Sequence, residues 1–134
     1  GFSCFTLSAI LPQCLKKIVF THSLRPVKFF EDNNTLHLVQ GIEHHHYHSF
    51  PSGHATSIFA LTLFLSLIVK DKKWGLLFST IAILAAYSRV YLAQHFFEDI
   101  FAGSLIGFFS TLLIFICMEK WIKSKKSLDT GILK

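Results

Sequence analysis

His95 and Asp99 stand four residues apart, and Ser88-Arg89 ends six residues before His95. On a helix, positions i and i+4 share a face. An Asp bonded to one imidazole nitrogen fixes the tautomer and makes the other nitrogen a better nucleophile or base. A second histidine, His54, closes Pro51-Ser52-Gly53-His54, directly ahead of an apolar run. Pro suits the first position of a helix, where its missing N–H has no partner anyway. The amides of Ser52, Gly53 and His54 are then expected to point outward, and a helix N-terminus attracts anions. Gly53 lets an anion come close to the backbone. Arg25, followed by Pro26, and Arg89 each add a planar, permanently charged fork matched to phosphate oxygens. No carboxylate cluster is present to hold Mg²⁺. Two Arg, Lys16 or Lys17, a helix N-terminus, a His–Asp pair and a second His point to metal-free phosphoryl transfer through a phosphohistidine. Spacing alone leaves open which histidine is the nucleophile.

The chain that positions these groups carries little charge. Of 134 residues, 51% are apolar and 16% charged, against about 25% charged in an ordinary soluble domain. The charge is clustered between long uncharged stretches. This excludes a disordered chain and argues against a nucleic-acid binder despite a net charge of +5. The expected fold is all-α, a polytopic membrane helical bundle.

Four apolar segments cover residues 1–20, 55–69, 74–88 and 100–118. A span needs roughly 20 residues. The second segment reaches that length only if residues 51–54 extend it upstream. The third needs residues 89–91 downstream. The first resembles a signal-peptide core, but its basic residues, Lys16 and Lys17, follow the core instead of preceding it. It reads as the remainder of a membrane helix. Residues 21–50 read as a loop with a short helix. Gly103 and Gly107, one and two turns beyond Asp99, make a small-xxx-small packing face, so the His95/Asp99 face should look into the bundle.

Lys70, Lys72, Lys73 and the basic tail, residues 119–134, belong on the cytoplasmic side. Helix counting then places residues 21–54 and 89–99 outside. Lys16, Lys17, Arg25, Lys28 and Arg89 also fall on that outer face, against the usual rule, and an anion site accounts for them. Trp74 and Trp121 flank the Lys clusters as interfacial anchors do. Cys4, Cys14 and Cys117 have no metal-ligand spacing and read as small apolar side chains. Glu43-His44-His45-His46-Tyr47-His48 invites a metal, but neighbours in an extended chain point to opposite sides. A pH-responsive lid beside the site is the better reading.

The order and spacing of the motifs resemble the type 2 phosphatidic acid phosphatase superfamily. Its signature is Lys-x6-Arg-Pro, then Pro-Ser-Gly-His, then Ser-Arg-x5-His-x3-Asp. The second and third motifs are present unchanged at residues 51–54 and 88–99. The first matches at Arg25-Pro26, while its lysine position is Ile18 and Lys17 stands one residue earlier. The resemblance implies that His95 attacks phosphorus, Asp99 orients it, and His54 protonates the leaving oxygen. It implies that Arg25, Arg89, Ser52, the Gly53 amide and Lys17 hold the phosphate, with no metal and no cofactor. It also implies a six-helix core, of which these segments are the last four spans, in one N-terminally truncated domain over residues 1–134.

The expected function is metal-independent hydrolysis of a phosphate monoester or diphosphate on a membrane lipid. Undecaprenyl diphosphate, phosphatidylglycerol phosphate, phosphatidate and lipid A are the candidates. The alternative is a catalytically inactive membrane fragment that retains the motifs. Vanadate-dependent halide oxidation uses a similar pocket, but in soluble enzymes, and the apolar chain argues against it. The expected partners are the lipid phosphate and the bilayer, with no nucleic acid. The expected place is a bacterial inner membrane with the site on the periplasmic face.

Overall fold

Uncharged runs rich in Leu, Ile, Ala and Phe, with no Pro after Pro51, favour uninterrupted helices. The computed structural model describes residue 20 and residues 23–31 and 46–132, with side chains up to residue 124. The expected first span and Lys17 therefore lie outside the described residues. Within them the chain forms α1 (Pro26–Phe29), α2 (Gly53–Ile68), α3 (Lys73–Tyr91) and α4 (Phe97–Ile132). No strand occurs among the described residues; Leu24 and Tyr47 make one isolated antiparallel bridge.

Local chemistry sets the helix ends, in two places differently from expectation. Pro51 does not open α2. Ser52 is the N-cap, its hydroxyl accepting the Ala55 N–H at 3.3 Å, and Pro51 precedes it. This satisfies one of the orphan amides of the first turn. The turn from α2 to α3 is short, and Asp71 closes it by accepting the Lys73 N–H at 3.0 Å. At the other end, α4 does not stop near Met118. It runs on through the Lys-rich segment to Ile132, because no Pro interrupts it and Glu119 pairs with Lys123 at 2.7 Å. The expected basic tail is a continuation of the helix.

α2 is the central helix and packs on both neighbours, whereas α3 and α4 barely meet. The α2–α4 contact is a seam of small residues. A side chain on Gly103 would lie 2.5 Å from the Ser52 carbonyl oxygen and 3.2 Å from the Ala55 Cβ. One turn on, a side chain on Gly107 would collide with the Thr56 carbonyl oxygen. Another turn on, the Thr111 hydroxyl donates to the Ala60 carbonyl at 3.4 Å across the interface. Asp99, Gly103, Gly107 and Thr111 thus form one buried stripe at i, i+4 spacing. Close backbone approach through small residues is how helices associate where surrounding lipid removes the hydrophobic drive.

Outside this seam, α3 and α4 expose large apolar side chains, among them Leu76, Leu84, Tyr87, Phe109 and Leu113. Both helices are long and apolar enough to cross a membrane; α2, with 16 residues, is shorter. The bundle is thus all-helical and suited to a lipid surround.

The seam yields a direct expectation. Gly107→Leu forces α2 and α4 apart, and overpacking of this kind costs about 1–3 kcal/mol or more. Thermal unfolding in detergent should show a clear fall in midpoint, with loss of the native fold at the upper end. Gly75→Ala, whose new Cβ lies 3.9 Å from the Ser66 side chain, should leave the midpoint within a degree or two of wild type, roughly the range of a neutral exposed substitution.

Candidate active site

The connectivity gathers the chemistry at one end of the bundle. The start of α2, the end of α3 and the start of α4 meet there, and the Lys70–Lys73 turn lies at the opposite end. α3 ends in a Schellman turn. Ala93 adopts φ 52°, its N–H bonds to the Val90 carbonyl at 2.9 Å, and the Gln94 N–H reaches back to the Arg89 carbonyl at 3.0 Å. These are the two bonds that define the motif. The His95 N–H also points at the Arg89 carbonyl, at 3.3 Å. The five residues between Arg89 and His95 are therefore the length of this turn. A non-Gly residue in the left-handed region costs roughly 1–2 kcal/mol, and Ala93 holds that conformation while buried.

Asp99 occupies the third position of α4, counted from Phe96 as the cap. Its Oδ2 accepts the Phe96 N–H at 2.8 Å, the reciprocal half of a capping box. His95 thus precedes the helix, and its pairing with Asp99 spans a turn–helix junction instead of one helical face. Nδ1 of His95 lies 3.4 Å from Asp99 Oδ2. A carboxylate only accepts hydrogen bonds, so this contact places the proton on Nδ1 and the lone pair on Nε2. Three groups converge on the same carboxylate oxygen, because the Ser49 hydroxyl also donates to it. Ser49 Oγ lies 3.5 Å from His95 Nδ1 as well. Ser49, His95 and Asp99 are all buried. The main chain of Asp99 is engaged too: its carbonyl accepts the Ser52 N–H at 2.9 Å. The Ser52 amide expected to face an anion is used within the fold.

Ser49 is set in place by the paired segments 23–25 and 46–50. Its N–H bonds to the Ser23 carbonyl at 3.2 Å, and the Phe50 N–H bonds to the Ser23 hydroxyl at 3.0 Å. The His46 carbonyl accepts the Arg25 N–H at 3.0 Å. His46, Tyr47 and His48 are exposed, while the main chain of His46 and Tyr47 is joined to this segment. Among the described residues no three His, Cys, Asp or Glu side chains group as metal ligands; His44 and His45 lie outside them.

The two arginines meet around Gln94. Arg25 donates through Nε to the Tyr47 carbonyl at 3.1 Å and through a terminal nitrogen to the Gln94 carbonyl at 3.2 Å. Arg89 donates to the Gln94 side-chain oxygen at 3.0 Å. Burial pushes the Arg25 guanidinium below its ordinary pKa, and the charge of Asp99 opposes that shift. Arginine remains cationic in either case. At the start of α2, a Cβ added to Gly53 would meet no atom within 4 Å, so the backbone there faces open space. His54 follows on the same first turn and is exposed, whereas Ser52 is fully buried.

Of the residues singled out by sequence, Arg25, Ser52, Gly53, His54, Arg89, His95 and Asp99 come to this end of the bundle; Lys17 lies outside the described residues. Ser49 and Gln94 were missed. Both are neutral polar residues without a spacing signature, although Ser49 sits two residues ahead of the Pro-Ser-Gly-His motif.

An all-helical bundle with a buried His–Asp pair, and with two arginines joined at the neighbouring Gln94, agrees with the family that the motifs resemble. The chain belongs to the PAP2 superfamily, whose family model matches residues 2–123. It is 36% identical over 84 residues to a lipid A 4'-phosphatase of Bacteroides thetaiotaomicron, covering 62% of this chain and 36% of that protein. It is 39% identical over 61 residues to an undecaprenyl-diphosphatase of Sulfolobus acidocaldarius, covering 45% and 29% respectively. The crystal structure of Aquifex aeolicus LpxE superposes with a TM-score of 0.68 at 29% identity, over 82% of this chain and 61% of that one. The chain thus spans about a third of the length of these two curated relatives.

The geometry makes Ser49 testable. A hydrogen bond to a charged group is worth about 1.5–3 kcal/mol, or roughly ten- to hundredfold in rate. Ser49→Ala should lower kcat of phosphate release by that factor with KM little changed, because the group acts on Asp99 and not on the phosphate. Ser49→Thr, which keeps the hydroxyl, should recover part of the loss.

Proposed function

We propose that the protein hydrolyses a phosphate monoester or diphosphate carried by a membrane lipid, without a metal ion and through a phosphohistidine. The observation that carries this reading is the meeting of both guanidinium groups at Gln94, the residue next to a histidine whose Nδ1 faces a buried carboxylate. Positive charge fixed beside a nucleophilic nitrogen suits a phosphoryl group and its developing charge.

In this mechanism the Nε2 lone pair of His95 attacks phosphorus. The bond to the leaving oxygen breaks, and His54 supplies that oxygen with a proton. Asp99 stabilises the imidazolium that forms and holds its tautomer. Water, deprotonated by the now neutral His54, then attacks phosphorus, releasing phosphate and restoring His95. Arg25, Arg89, the Gly53 amide and Lys17 hold the non-bridging oxygens. The buried Ser52 caps α2 and borders this cradle.

Two relatives named lipid A 4'-phosphatase and one named undecaprenyl-diphosphatase support a lipid phosphate as substrate. Of the four candidates, lipid A and undecaprenyl diphosphate have that support. The protein is an integral membrane protein, and its Lys70–Lys73 turn lies opposite the site. The positive-inside rule then favours a site on the outer face, periplasmic in a bacterial inner membrane. We assign residues 1–134 to one membrane-embedded domain, with residues 21–50 as its outer loop and residues 119–134 on the cytoplasmic side.

The two histidines separate by leaving group. General acid help is worth roughly 10²–10⁴-fold, so His54→Ala should nearly abolish phosphate release from an alkyl phosphate. It should recover substantially on p-nitrophenyl phosphate, whose phenolate leaves without a proton. His95→Ala should fail on both. The measurement is phosphate release by purified full-length variants; rescue of His95→Ala but not His54→Ala by the aryl substrate means the roles are reversed.

A further inference from the structure

Gln94 is a neutral residue between the Schellman turn and His95, and it touches both guanidinium groups. Its two contacts differ in kind. Arg25 is held by its main-chain oxygen, at 3.2 Å, which any residue at this position supplies. Arg89 is held by its side-chain oxygen, at 3.0 Å, which only a few side chains can supply. The main chain of Gln94 is itself fixed, because its N–H closes the Schellman turn on the Arg89 carbonyl at 3.0 Å. Arg89 and Gln94 are thus joined twice, once through the backbone and once through the side chains. A long, flexible arginine side chain has many rotamers, and ordering it costs up to about 2 kcal/mol of conformational entropy. A planar amide oxygen on a clamped backbone removes part of that freedom in advance and uses only one of the five N–H donors of the guanidinium.

We propose that Gln94 is a positioning residue: its side-chain oxygen sets the Arg89 guanidinium to receive the phosphate, while its carbonyl sets Arg25. The inference rests on the phosphatase reading above. It makes Gln94 act on phosphate affinity through Arg89 and not on the attacking nitrogen.

The test uses purified full-length protein and two readouts, turnover of p-nitrophenyl phosphate and competitive inhibition by inorganic phosphate. The variants are Gln94→Met, which keeps the shape and removes the acceptor, Arg89→Ala, and the double variant. Gln94→Met should raise both KM and the inhibition constant for phosphate by roughly ten- to hundredfold, with a smaller change in kcat and an unchanged melting midpoint. In the Arg89→Ala background the same substitution should change neither constant by more than about twofold, since residues that act through one another are not additive. Gln94→Glu, which keeps the acceptor oxygen, should melt like wild type. A full additional loss in the double variant, or a fall in kcat and melting midpoint with the phosphate constant unmoved, overturns the positioning role and leaves the phosphatase reading intact. An Arg89→Ala enzyme that binds phosphate as wild type does also overturns the positioning role, whereas wild-type protein that does not turn over p-nitrophenyl phosphate overturns the phosphatase reading.

Discussion

Asp99 is the residue on which the rest of this structure depends. Its carboxylate takes hydrogen bonds from the Ser49 hydroxyl and the Phe96 N–H and faces His95 Nδ1, while its main-chain carbonyl takes the Ser52 N–H. One residue therefore joins the loop before α2, the cap of α2, the end of the α3–α4 turn and the first turn of α4. Burying a carboxylate is costly unless it is hydrogen-bonded, and here the groups that bond Oδ2 are the ones that shape the site. The contact of this set that reaches Nδ1 is the one that fixes the tautomer of His95.

That convergence requires the start of α4 to lie almost against the start of α2. The small-residue seam provides the approach. Gly103 leaves room for the Ser52 carbonyl and Gly107 for that of Thr56, so a bulky residue at either position would separate Asp99 from Ser52. Packing and the candidate site share one helical stripe, with Asp99 at its top and Thr111 two turns below Gly103. The lipid-facing sides of α3 and α4 carry no part of this and are free to be generically apolar.

Much of this was legible in the sequence because the functional groups are charged or titratable and sit at fixed spacings. His95 with Asp99, Arg89 six residues earlier, and Pro51-Ser52-Gly53-His54 needed only their order. The bounds of α3 followed from its uncharged run with the extension to Tyr91, and the Gly103–Gly107 face from its four-residue period. The misses have physical causes. The left-handed turn is made by Ala93, and without a glycine nothing marks a Schellman motif. Ser49 and Gln94 act through single hydrogen bonds that only tertiary contact creates. α4 outruns its uncharged stretch because lysine and glutamate are good helix formers, so a run of charge does not mark where a helix ends.

The central claim is that His95 carries the phosphoryl group in a covalent intermediate. Phosphohistidine survives alkali and is lost in acid, so it can be trapped by quenching turnover in alkaline detergent. The purified protein, mixed briefly with excess lipid phosphate, quenched and digested, should yield a phosphorylated peptide whose modification maps by mass spectrometry to His95. The modification should be absent from His95→Ala. A phosphoryl group on His54, or turnover with no modified histidine at any quench time, would contradict the account.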